Sequence, residues 1–157
     1  MDIALTYDSQ IGAFDVSIDA LNADLAREES LSTVVLLSLL TDRTAQANEV
    51  DPGADRRGWW ADAFAEQVGD MFGSRLWLLA REKQLPATIA RARAYIEEAL
   101  AWLVADGLAK SVMATVFAPR RGWLVAQVDI TLAGDSRRYR FEWSDDAQVW
   151  RLGGEVH

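Results

Sequence analysis

A chain of 157 residues with 50% hydrophobic and 25% charged side chains has the composition of a folded protein and the length of one domain around a single core. It has no cysteine, and its only histidine is His157, the last residue. Disulfide frameworks, thiolate metal sites, cysteine nucleophiles and triads needing a positioned imidazole are therefore excluded. The net charge of −8 is uneven: residues 1–50 hold nine acids and two bases, 51–106 nine and seven, and 107–157 six and seven. An acidic front third argues against wrapping nucleic acid, whose affinity comes mainly from phosphate neutralisation.

Met1-Asp2-Ile3-Ala4-Leu5 places no basic region ahead of an apolar stretch, so no secretory signal is expected. Phe14-Asp15-Val16-Ser17-Ile18-Asp19 alternates and predicts a short strand with one wet face. An acidic turn from Asn22 to Glu29 follows, and Ser30 or Ser32 is placed to cap a helix through Val34, Val35, Leu36, Leu37, Leu39 and Leu40. That stretch is apolar nearly all round, which predicts a central helix, and it is too short to span a bilayer.

Residues 42–58 carry the punctuation of a long loop: Asn48, Asp51, Pro52, Gly53 and Gly58. Loops of this length in small domains tend to be functional. Gly73-Ser74 opens a short helix with Leu76, Trp77, Leu79 and Ala80, and its context predicts Trp77 in the core. Pro86 then starts the longest element, in which Ile89, Ala92, Ile96, Ala99, Leu100 and Leu103 recur at helical spacing up to Gly107. From residue 109 the period changes to two. Val112, Ala114 and Val116, then Trp123 to Ile130, then Tyr139, Phe141 and Trp143 alternate, with turns at Pro119-Arg120-Arg121-Gly122 and Gly134-Asp135-Ser136. Gln148 to Leu152 supplies a fourth edge strand. The reading is α+β: an N-terminal strand and helices (roughly 30–106) packed on a three- or four-stranded antiparallel meander (roughly 109–152), all within one domain, 1–157.

Little of the remaining chemistry stands above surface charge. Glu28-Glu29, Glu97-Glu98 and Asp145-Asp146 are adjacent carboxylates of the kind a glycoside hydrolase needs, but Glu97-Glu98 is read on the wet side of a helix and Asp145-Asp146 in a turn. No glycine-rich phosphate cradle is present, and Asp15, Asp19 and Asp24 lack the spacing of a calcium loop. Arg120-Arg121 and Arg137-Arg138-Tyr139-Arg140 beside Trp123 are read as the basic outer face of half-buried strands, not as a base-stacking platform. No cofactor or metal is expected.

The segment from Thr41 to Lys83 is different. Asp42-Arg43, Asp55-Arg56-Arg57-Gly58-Trp59-Trp60 and Gly73-Ser74-Arg75-Leu76-Trp77 place Arg and Trp where loops usually place small polar residues. Eight acids and six bases in this segment exclude a basic patch and allow internal ion pairs of Arg43, Arg56 and Arg75 with Asp42, Asp55, Asp62 or Glu66. Adjacent Trp59 and Trp60 cannot both point the same way in an extended loop, which leaves at least one for a partner. Trp and Arg are also the residues most enriched at interface hot spots. The interface candidates are Asp42, Arg43, Asp55, Arg56, Arg57, Trp59, Trp60 and Arg75.

These blocks, together with Asp2-Ile3-Ala4-Leu5, Arg81-Glu82-Lys83, Ala92-Arg93, Glu98-Ala99-Leu100, Trp102-Leu103 and Asp106-Gly107, resemble the Mu-type phage tail or baseplate protein family called phage protein GP forty-six. The resemblance runs in order along almost the whole chain and departs at Thr44, where it leads one to expect Arg, and at Ala61, where it leads one to expect Gly. It implies a non-enzymatic structural part of a contractile phage or prophage tail baseplate. The role is similar to that of the small wedge proteins that join the baseplate to the sheath. Such a part is assembled in the host bacterial cytoplasm and contacts wedge and sheath subunits, with strand addition at the C-terminal sheet. A tail-associated, lysozyme-like hydrolase using paired carboxylates is the alternative; nucleic acid, membrane insertion and a small-molecule substrate are not expected.

Overall fold

A computed structural model describes residues 4–8, 13–17, 27–64, 71–80, 82–84, 86–144 and 150–155. Strands β1 (Ala4–Asp8) and β2 (Ala13–Ser17) form an antiparallel hairpin with Tyr7 opposite Phe14. The alternation around Phe14 marks β2, whereas β1 goes unannounced in the sequence, and Ile18 and Asp19 lie outside the described residues. Helix α1 spans Arg27–Leu40 and lies against β1. It begins before either serine expected to cap it, because Arg27, Glu28 and Glu29 are good helix formers and two acids suit a helix start. The acidic turn expected over Asn22 to Glu29 lies outside the described residues as far as Ala26, and Arg27 to Glu29 belong to α1.

Helix α2 spans Pro86–Ala105, as the proline and the apolar spacing predict. Thr88, Ala92, Tyr95, Ile96, Ala99, Leu100 and Leu103 form its buried stripe. Strands β3 (Ser111–Arg120), β4 (Trp123–Thr131), β5 (Ser136–Ser144) and β6 (Trp150–Glu155) form an antiparallel sheet in the order β3-β4-β5-β6. The fold is α+β, and the expected fourth strand is present, starting at Trp150; Gln148 and Val149 lie outside the described residues.

Register explains the packing. Ala114 faces Val128, which faces Tyr139, and Val116 faces Ala126, which faces Phe141. These positions meet α2 and join Val35, Leu36 and Leu39 of α1 in one core. Each large apolar side chain fully buried there contributes about 1.5–3 kcal/mol. Among the buried polar residues, Ser38 is fully enclosed, and its Oγ accepts a hydrogen bond from Trp102 Nε1 at 3.2 Å that fastens α1 to α2. Arg138 pairs with Asp129 of β4 and Arg140 with Glu142 two residues along β5, so the basic outer face expected for β5 is balanced by its own neighbours.

Candidate interaction site

The loop after α1 returns to the body of the protein through an isolated parallel bridge between Asp42 and Ser74. Arg43 N–H donates to Ser74 O at 2.9 Å, Ser74 N–H to Thr41 O at 2.8 Å, and Ser74 Oγ to Leu39 O at 2.6 Å. Gly73 makes this approach possible: its φ is +99°, and a Cβ there would meet Thr41 O at 2.5 Å. At the far end of the loop Ala45 N–H donates to Arg56 O at 2.9 Å, and Arg56 Nε returns a bond to Ala45 O at 2.7 Å. Gly58, with φ +118°, packs so tightly that a Cβ would lie 2.0 Å from Thr44 Oγ1. Thr44, a departure from the resembled pattern, thus fills the space under the glycine and donates to Arg57 O at 3.3 Å.

Most of the candidate side chains are engaged within this loop. Arg57 pairs with Asp42 at 2.8 Å and stacks 4.5 Å over the Trp77 ring, while its own N–H donates to Asp55 Oδ1 at 2.8 Å. Trp77 is not in the core as expected. It is half-buried, because its indole N–H has a partner at the loop, Arg43 O at 2.9 Å, and its ring serves as the platform for Arg57.

Arg75 anchors the other side. Its guanidinium meets Glu98 through Nε (2.9 Å) and Nη2 (3.0 Å), meets Glu49 through Nη1 (2.6 Å), and stacks 4.6 Å over Tyr95. Burial pushes the Glu49 carboxyl up, but hydrogen bonds from Arg75, Gln46 N–H and Tyr95, with the charge of Arg75, outweigh it and hold it below its ordinary value. The carboxylates paired with Arg75 are therefore Glu49 and Glu98, not those expected from nearby sequence. Glu97 and Glu98, expected to be solvated, are both occupied: Glu97 Oε1 accepts from Arg93 Nε at 3.1 Å and from Ala114 N–H at 3.2 Å. Glu66 and Asp145-Asp146 lie outside the described residues.

What the loop does not use internally is aromatic. Trp59 is 41% exposed, Trp60 75% and Phe64 78%. Trp60 and Phe64 bound a single 3₁₀ turn (Trp60–Phe64), and their rings meet edge-on at 6.2 Å. Trp59 leans on Phe72 at 5.3 Å, and Asp62 Oδ1 accepts from Phe72 N–H at 3.0 Å, which ties the turn to the following segment. Between this turn and the end of α2 lies a cleft of about 320 Å³ lined by Trp59, Ala61, Asp62, Met71, Phe72, Trp102 and Asp106. Phe64, Phe72 and Asp106 escape a reading of sequence because no local pattern separates them from ordinary apolar and acidic surface positions. Trp102 repeats at helical spacing with Glu98 and Asp106, a signal that identifies the helix and not the cleft.

Comparison with known proteins points one way. The sequence profile of a family described as phage protein GP46 matches residues 31–137, from α1 to the start of β5. The chain is 39% identical over 137 residues to the baseplate protein gp46 of Escherichia phage Mu, covering 86% of this chain and 90% of that protein. It is 34% identical over 146 residues to the Mu-like prophage FluMu protein gp46 of Haemophilus influenzae, covering 91% of this chain and 98% of that one.

Proposed function

The chain belongs to the phage protein GP46 family, and from that membership we propose that it is a structural component of a contractile phage or prophage tail baseplate. It works as one domain, by protein–protein contact with wedge and sheath subunits, in the virion tail after assembly in the host cytoplasm. The observation that carries this reading beyond kinship is the exposed cluster of Trp59, Trp60 and Phe64 next to a stretch held from within by Arg56 and Arg57. A rigid loop presenting large aromatic side chains to solvent suits an anchor for a partner, since little conformational freedom is left to lose on binding.

The pinned candidates then take a supporting role: Asp42, Arg43, Asp55, Arg56, Arg57 and Arg75 shape the loop, and Trp59 and Trp60 make the contact. Strand addition is assigned to β6. The opposite edge strand, β3, has α2 packed on it, has the Ala114 N–H already bonded to Glu97, and carries Pro119, which has no N–H to offer. The reading without catalysis is supported by Glu97 Oε1 and both Glu98 oxygens, which are taken up by Arg93, a main-chain amide and Arg75 and so are poorly placed for acid–base work.

The test is direct. In tail particles purified after induction of the phage or prophage encoding this chain, peptide mass spectrometry is expected to find it in fixed ratio to the other baseplate proteins. Its absence from particles that are complete and infective would remove the reading.

A further inference from the structure

The cleft beside Trp59 has a chemistry of its own. Its lining is aromatic and thioether, from Trp59, Phe72, Met71 and Trp102, and its charged groups are the carboxylates of Asp62 and Asp106, with no cation among the described lining residues. Asp62 is the more telling of the two. One oxygen accepts the Phe72 N–H, while Oδ2 is shielded from solvent and has no hydrogen-bond partner among the described residues. A carboxylate oxygen left in that state is costly, because it has lost water without gaining a donor. Three neighbouring carboxylates, Asp42, Glu49 and Glu98, each hold an arginine.

We infer that this cleft is a socket for an arginine side chain presented by another polypeptide of the baseplate. A guanidinium is planar and weakly hydrated, stacks on aromatic faces and is drawn to carboxylates, so one group answers both the aromatic lining and the negative charge of Asp62 and Asp106. The molecule already shows the same combination twice: Arg57 lies over Trp77 and pairs with Asp42, and Arg75 lies over Tyr95 and pairs with Glu49. The exposed rings of Trp60 and Phe64 beside the cleft cover the apolar residues flanking the incoming arginine. A different polypeptide fits better than a second copy, since two chains of net charge −8 repel at a distance whereas a basic segment is drawn in. This assignment rests on the reading of the chain as one that assembles by protein contact.

The experiment uses the whole chain and blocked amino-acid probes, so it does not depend on particle assembly. Titration with N-acetyl-arginine amide, followed by the indole N–H resonances of Trp59 and Trp102, is expected to give saturable shifts with a Kd on the order of millimolar, as befits one side chain. The citrulline counterpart, equal in shape and uncharged, is expected to cause no saturable shift. Asp62→Asn keeps the oxygen that accepts the Phe72 N–H, and Asp106→Asn alters only an exposed rim position; each is expected to weaken the probe by roughly threefold or more. Equal binding of the citrulline probe, unaltered affinity in both variants, or no shift at saturating arginine probe would each overturn the socket. So would dimerisation in sedimentation that competes with the probe, since it would make a second copy the occupant. If the chain is found in tails and the probe does not bind, the socket alone fails; if the probe binds and the chain is absent from tails, the baseplate reading alone fails.

Discussion

Arg75 is held by Glu98 and Glu49 and lies over Tyr95, so its removal strands two half-buried carboxylates at once. Arg75→Ala is expected to cost about 3 kcal/mol in urea denaturation, with Arg75→Lys recovering only part because an ammonium cannot match the fork. Glu49 gives the same cluster a pH signature. Its folded-state pKa lies below the ordinary 4.5, so its contribution is complete above that value and is lost as pH falls through the lowered one. The stability gap between the parent and Glu49→Gln should therefore be constant above about pH 5 and shrink below it; a gap that widened in acid would contradict the pairing. Sequence could name Arg75 as needing a partner but not find it, since Glu49 and Glu98 lie 26 and 23 residues away and only the fold brings them together.

At the scale of elements, periodicity was readable wherever burial imposed it. Pro86, the stripe from Ala92 to Leu103 and the alternation of β3 to β5 each follow from one face meeting the core. β1 escaped because its pairing with β2 is satisfied between main chains, which side-chain pattern reports only weakly. Trp77 was misplaced for a related reason: its helical neighbours are buried, but the loop supplies a carbonyl and a guanidinium that hold its ring at the boundary. That makes Trp77 the bolt of the loop. Trp77→Leu should keep the fold and lower global stability by roughly 1–2 kcal/mol, through loss of one hydrogen bond and one cation–π contact. The Ala45 amide, bonded to Arg56 O, should exchange faster than the amides of α2 by a larger factor in the variant than in the parent.

For the whole molecule, the proposed baseplate role divides the work of association between the acidic front and the aromatic loop. Long-range attraction of a basic neighbour depends on net charge and is screened over about 8–10 Å at ordinary salt, whereas residence depends on the rings that become buried. The α+β core supplies a rigid base for that loop, through Ser74 to α1 and Arg75 to α2, and the part of the site legible in sequence was the part rich in Trp and Arg. Trp59 and Trp60 were named there, but how far each is exposed was not legible, since exposure is decided by which side chains the interior claims first. Trp60, at 75% exposure, was not claimed. Trp60→Ala is expected to change stability by no more than about 0.5 kcal/mol, as for surface positions generally. In competition with the parent chain during tail assembly, however, it should be under-represented in particles by roughly tenfold or more, the loss of a central aromatic anchor. A salt series separates the two contributions: raising ionic strength should slow incorporation of parent and variant alike, while the ratio between them stays fixed, because the indole acts after encounter. Equal incorporation of the two chains at every salt concentration would move the contact away from this loop.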